Sequence, residues 1–292
     1  MPDGIRKGYP HLERHIGKII GYIQLCRPFT LVAPLLAGLF GVLAPVESIT
    51  FHHLLTAIYV GLTLAFAQAC GQCINQYADA ELDKLTKSYR PIPSGFVTRE
   101  EALGVGWLLA LFSIGRAFTI NLFFGLTVLT LIFFAVFYSL APLSPRKIHP
   151  LVNTGWMALS RGLLPMLAVW SIYGDINQAW PYAIIAFIWV MGWQASKDIP
   201  DVNADKAYGI KTIPNTWGVK GLQVTMAICL VWFGTAAIFF NLLGMLLLLP
   251  LGITALVTIK KQASLTENTY SWICYYLGLG LIYIIAFVTA KI

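Results

Sequence analysis

Two sets of oxygen-bearing side chains recur at helical spacing. Asn75, Asp79 and Asp83 stand four residues apart, and Asp198, Asp201 and Asp205 stand three and four apart. On a helix each set falls along one face. Both sets end otherwise apolar stretches, where an unpaired carboxylate is costly because lipid cannot solvate it. The chain holds 13 acidic residues, and six of them (Asp79, Glu81, Asp83, Asp198, Asp201, Asp205) lie in these two short segments. Like charges that close repel unless a cation sits between them, which favours metal ligation over a solvated face. Oxygen-only ligands suit Mg²⁺, with Mn²⁺ as a second possibility and zinc disfavoured. Mg²⁺ is commonly shared between carboxylates and substrate phosphates, so the chemistry expected is the handling of a diphosphate at a membrane surface. Glu81, two residues from Asp79, points off the stripe.

Cations border both sets. Arg90 follows the first, Lys197 and Lys211 flank the second, Arg27 precedes the first apolar core, and Tyr138 with Lys147 closes the fourth apolar stretch. Carboxylates and cations at one membrane face describe a site for a metal-bridged diphosphate, so Arg27, Arg90, Lys147, Lys197, Lys211 and Tyr138 are expected to contact it. Arg161 lies within an apolar run, with Asn153 two turns upstream on a similar face; both are expected to face an interior cavity. Five scattered cysteines make no disulfide framework, and Cys70 and Cys73, though in redox-motif spacing, read as small packing residues.

These groups must be positioned by a membrane bundle. The 292 residues are 58% hydrophobic and 11% charged, with mean hydropathy +0.71. Soluble domains carry about a quarter charged residues, so the chain is expected to be integral to a membrane. Apolar runs of spanning length lie near 24–45, 53–75, 102–119, 121–140, 152–173, 179–196, 222–240, 242–259 and 271–290. The fold expected is an all-α integral membrane protein of about nine transmembrane helices. It forms a single domain over 1–292, with a polar tail at 1–18 and polar loops at 79–100 and 197–221. No early stretch resembles a cleaved leader.

Placing the tail and the even-numbered loops on one side leaves only Arg116, Arg161 and Lys291 of the basic residues elsewhere. That asymmetry assigns this side, with both acidic sets, to the cytoplasm. The net charge of +7 is thereby accounted for mainly by topology, and no nucleic-acid partner is expected. The two polar loops share a layout, acid then base then a Pro/Gly turn, which suggests related halves around a shared site.

The run Asn75-Gln76-Tyr77-Ala78-Asp79-Ala80-Glu81-Leu82-Asp83 with Tyr89-Arg90-Pro91-Ile92-Pro93-Ser94-Gly95 resembles the first motif of the UbiA superfamily of intramembrane prenyltransferases. Lys197-Asp198-Ile199-Pro200-Asp201-Val202-Asn203-Ala204-Asp205 with Gly209-Ile210-Lys211-Thr212 is similar to its second, and Arg27-Pro28 and Tyr138-Ser139 match lesser signatures. The resemblance spans essentially the whole chain. It implies nine helices around a central cavity, dependence on Mg²⁺, and transfer of a prenyl group from a prenyl diphosphate. Many members carry Asp where this chain has Gln76, which sets Gln76 apart from the ligands.

On this reading Asn75, Asp79 and Asp83 hold one Mg²⁺ and Asp198, Asp201 and Asp205 a second. The cavity opens at the cytoplasmic face, and Tyr22, Tyr77, Tyr138 and Trp193 are lining candidates. The partners expected are a prenyl diphosphate, a hydrophobic or aromatic acceptor, and membrane lipid. Two rivals stand beside it: a divalent-cation transporter or channel, because intramembrane acids often mark ion paths, and a metal-dependent phosphoalcohol transferase.

Overall fold

Long apolar runs bounded by capping residues set the helices. The computed structural model describes residues 10–259 and 265–292, with side chains over 15–259 and 270–292. Residues 1–9 of the polar tail, with Arg6 and Lys7, lie outside the described residues, as do the Arg14 side chain, Lys260 and Lys261. Residues 10–18 are helical, within α1 (Pro10–Leu25). Thr50, Thr98 and Thr212 each cap a helix with a reciprocal side-chain box, opening α3 (Phe51–Ala78), α5 (Arg99–Phe118) and α11 (Ile213–Phe239). Between them lie α2 (Val32–Leu36), α4 (Ala80–Thr86), α6 (Leu122–Ser139), α7 (Pro150–Ala158), α8 (Leu164–Trp170), α9 (Ile176–Trp193) and α10 (Val202–Ala207); α12 (Leu249–Thr258) and α13 (Leu265–Thr289) follow. The described residues form no strand.

Six helical stretches among the described residues are long and apolar enough to cross a membrane: His15–Gly41, Phe51–Ala78, Arg99–Phe118, Leu122–Ser139, Ile213–Phe239 and Tyr270–Thr289. The other three expected spans are helical but shorter or less apolar. They fall on α7 with α8, on α9, and on the segment Leu243–Thr258.

Two spans are bent where they border the interior. Pro165 has no N–H to bond the Arg161 carbonyl one turn back, and the helix relaxes there into a π turn at Leu159–Leu163. Pro34 precedes a second π turn at Ala37–Gly41. Gly38 of that turn crosses Gly61 of α3 so closely that a Cβ on Gly38 would lie 2.2 Å from the Gly61 Cα. Gly218, with φ of 71°, turns the chain inside α11 and separates its first turn from the apolar span.

The bundle packs on aromatic and small residues. Trp189 and Trp193 of α9 stack at 4.3 Å and 16°, fully buried against Phe233 and Gly252. At the end carrying the acidic segments, Leu82 of α4, Ala204 of α10 and Ile210 form a small apolar cluster that pins the two polar loops together. A backbone bond from Lys211 N–H to the Arg146 carbonyl, 2.6 Å, adds the turn after α6 to this cap.

Candidate active site

Convergence of the two acidic segments follows from that cap. Asn75 and Asp79 end α3, Asp83 lies on α4, Asp198 and Asp201 lie in the 3₁₀ segment Gln194–Asp201, and Asp205 lies on α10. All six line one cavity of about 310 Å³. Its other walls come from α2, α3, α6, α7, the Leu159–Leu163 turn and α13, and they are largely apolar and aromatic, among them Leu64, Phe134, Met157, Leu279 and Tyr283. Charge is therefore gathered at one end of an oily hollow.

Each carboxylate but one is held by a cation. Arg146 grips Asp79 with both terminal nitrogens, at 2.8 and 2.6 Å. Arg90 Nη1 reaches both oxygens of Asp83 at 2.6 and 2.5 Å. Lys87 Nζ donates to Asp201 across the two loops at 2.5 Å, and Lys197 pairs with Asp198. Asp205 has no ion-pair partner among the described residues. Burial raises the Asp83 and Asp198 carboxyls above the ordinary range. Burial, then the like charges of Asp198 and Asp201, push Asp205 up to about 8. Burial and its acidic neighbours thus hold the Asp205 carboxyl toward the protonated form.

This donor set fits a hard divalent cation. The ligating atoms are oxygens, and no histidine or cysteine lines the cavity among the described residues. As they stand, no three carboxylates among the described residues close around a single ion. Their oxygens are turned toward Lys87, Arg90, Arg146 and Lys197 instead, so ligation requires an exchange of partners. Asn75 directs its amide nitrogen to Asp79 Oδ2 at 2.8 Å and Ser139 Oγ at 3.0 Å, leaving its oxygen for other use.

Several expected contacts lie elsewhere. Lys147 is exposed and outside the lining; its neighbour Arg146 is the buried partner of Asp79. Lys211 is exposed and donates to the Ile148 carbonyl at 3.0 Å, which locks the cap. Asn153 is buried but donates to the Lys211 carbonyl at 3.1 Å, a structural bond away from the cavity. Trp193 is consumed in the Trp189 stack, and its Nε1 donates to the Gly252 carbonyl. Tyr22 packs beside Leu25 and Val97, and Tyr77 lies under the Arg99 guanidinium, 4.5 Å from the ring centroid. Neither reaches the hollow.

Arg27, Arg90, Lys197, Tyr138 and Arg161 do line it. Gln76 donates to the Leu25 carbonyl at 2.8 Å and ties α3 to α1, so it faces away from the acids. Glu81 points outward and pairs with Lys84.

Lining residues absent from the sequence reading include Gln68, Gln72, Lys87, Tyr275 and Tyr276. The signal for three of them was periodicity: Gln68, Gln72, Asn75 and Asp79 continue one stripe along α3, and Lys87 stands four residues past Asp83.

Buried helices around a cavity with acids and bases at its mouth are the architecture of a membrane-embedded enzyme. The UbiA prenyltransferase family model matches residues 31–271, and the chain belongs to that family. It is similar to digeranylgeranylglyceryl phosphate synthases. That of Thermococcus sibiricus is 31% identical over 204 residues, covering 68% of this chain and 69% of the relative. That of Pyrococcus furiosus is 30% identical over 218 residues, covering 72% and 74%. Among solved structures, a UbiA homolog from Archaeoglobus fulgidus bound to GPP and Mg²⁺ shares the fold, with TM-score 0.69 and 21% identity over 93% of this chain and 100% of that one. Family membership makes the chain an enzyme of prenyl transfer and sets aside the transporter and phosphoalcohol-transferase readings.

Proposed function

We propose that this protein transfers a prenyl group from a prenyl diphosphate to the hydroxyl of a glycerol-phosphate lipid that already carries one prenyl chain, releasing diphosphate. The observation that carries the reading is the convergence of Asp79, Asp83, Asp198, Asp201 and Asp205 with Lys87, Arg90, Arg146 and Lys197 at one end of an apolar hollow. The relatives' product, digeranylgeranylglyceryl phosphate, supplies the acceptor class. We assign nine spanning helices, with the acidic loops at the cytoplasmic face as the basic residues favour.

Asn75, Asp79 and Asp83 would hold one Mg²⁺, and Asp198, Asp201 and Asp205 a second. Bound Mg²⁺ would supply charge that stabilises the departing diphosphate oxygens. Lys87, Arg90, Arg146 and Lys197, with Arg27 beside them, would neutralise the diphosphate oxygens. The allylic C–O bond breaks with its electron pair on the diphosphate, and the acceptor hydroxyl oxygen bonds to the prenyl carbon. The hydroxyl proton leaves to the diphosphate. Phe134, Trp272 and the apolar wall line the hollow and would exclude water from the cationic carbon.

The test is diphosphate release by the protein in lipid vesicles with geranylgeranyl diphosphate, the prenylated glycerol phosphate and Mg²⁺. Asp79→Ala and Asp198→Ala should each lower the rate by about 100-fold or more, in line with loss of several kcal/mol of charge stabilisation. Near-normal release in either variant defeats the proposal.

A further inference from the structure

Arg161 is the cavity cation that the diphosphate end leaves unexplained. Lys87, Arg90, Arg146 and Lys197 each face an aspartate, and Arg27 donates to Gln72 Oε1 at 2.8 Å near the acidic mouth. Arg161 has no carboxylate partner among the described residues. Its Nη1 donates to the Tyr276 hydroxyl at a long 3.4 Å. The Tyr275 hydroxyl, in a side chain 0% exposed, lies beside the guanidinium but makes no hydrogen bond of normal geometry among the described residues.

A guanidinium between spans is expensive without an anion, and a buried phenol without a partner is likewise unsatisfied. The π turn relaxed by Pro165 sits at the level of Arg161, so the local backbone is shaped where this group meets the hollow. Arg161 lies within electrostatic range of Lys197 and Arg27, so an anion held by it would sit next to the diphosphate and not in its place.

We propose that Arg161, with the hydroxyls of Tyr275 and Tyr276, binds the anionic phosphate of the acceptor lipid and so sets the second-substrate specificity. The inference rests on the prenyl-transfer reading for the identity of that substrate. Three donor groups, a planar fork and two phenols, match the several oxygens of a phosphomonoester. Holding the phosphate there fixes the adjoining glycerol hydroxyl below the reacting end of the donor. An acceptor without the charge would leave the guanidinium and the Tyr275 hydroxyl unpaired, and the site would reject it.

The experiment measures binding in nanodiscs by titration calorimetry, with no reactive donor in any arm and no metal in the acceptor arms, so its outcome is separate from whether prenyl transfer occurs. The probes are geranylgeranylglyceryl phosphate and uncharged geranylgeranylglycerol, with Mg²⁺ and a non-reactive thiolo analogue of geranylgeranyl diphosphate as a third arm. The native protein should prefer the phosphate by about tenfold or more, the range for a charged hydrogen-bonded group. Arg161→Gln should abolish that preference and leave binding of the diphosphate analogue within about threefold; Arg161→Lys should keep part of the preference. Tyr276→Phe and Tyr275→Phe, which preserve ring packing, should each lower the preference and guard against a folding defect in the arginine variants. An unchanged preference in Arg161→Gln and in both phenylalanine variants overturns the proposal, as does loss of the diphosphate analogue in place of the acceptor. Failure of the native protein to release diphosphate in the turnover assay would instead overturn the prenyl-transfer reading.

Discussion

Replacing Lys87 by Met tests whether the basic side chains stand in for metal. Lys87 Nζ lies 2.5 Å from Asp201 Oδ2, and the two side chains are 11% and 13% exposed. Asp201 Oδ1 is buried with no hydrogen-bond partner among the described residues, so removing the ammonium leaves an uncompensated carboxylate. Breaking a buried pair costs 3–5 kcal/mol, and slight exposure puts this one near the low end, about 3 kcal/mol. For a chain this long that corresponds to a melting shift of about 6 °C.

Mg²⁺ offers Asp201 a replacement partner, so saturating Mg²⁺ should recover most of the deficit. With the competitor gone, the variant should also bind Mg²⁺ more tightly than the native protein when no diphosphate is present, by up to about tenfold. Lys84→Met is the control: its partner Glu81 is 60% exposed, and the loss should stay below about 0.5 kcal/mol. Thermal unfolding in detergent, with chelator and with Mg²⁺, gives all of these values. A deficit equally large in Mg²⁺, together with weaker Mg²⁺ binding, would refute the exchange of partners.

Lys147→Met and Lys211→Met should retain diphosphate release within about threefold, because both ammonium groups lie outside the cavity; a loss comparable to that of Arg146→Met would contradict this placement. The Asp205 carboxyl, pushed up to about 8, must lose its proton before it can ligate. Mg²⁺ affinity should therefore climb by up to tenfold per pH unit from 6 to 8 and level off above, and Asp205→Asn should flatten the curve. The same raised value favours the protonated folded state, so metal-free stability should fall as pH rises from about 4 to 8 and be steady outside that window. Gly38→Val places atoms where the Gly61 backbone already lies, and it should cost about 1–3 kcal/mol, read as a lower melting temperature.

Much of this arrangement was readable from the chain because membrane spans and acidic stripes are periodic. The expected run 53–75 falls inside Phe51–Ala78, and 121–140 matches Leu122–Ser139 to within a residue at each end, since lipid enforces length. The first span was misplaced: α1 begins at Pro10, and the helix breaks at Arg27, left-handed with φ of 50° just before Pro28.

The aspartates were legible by type and spacing. Their cations were less so. Arg146 and Lys147 share a three-residue 3₁₀ turn, too short for a period to say which one faces inward. Tyr22, Tyr77 and Trp193 show the limit of residue type in a chain rich in aromatics, where ordinary packing claims most rings. Tyr275 and Tyr276 gave no signal, because a phenol on an apolar helix acquires meaning only when Arg161 arrives from a distant span.

A structure of the protein in lipid with Mg²⁺ and the thiolo analogue of a prenyl diphosphate is the most direct measurement. The account predicts metal density between Asp79, Asp83, Asp198, Asp201 and Asp205, with Lys87, Arg90 and Arg146 swung from carboxylate to diphosphate oxygens. Diphosphate bound away from these aspartates, or all four ion pairs unchanged beside bound metal, would contradict it.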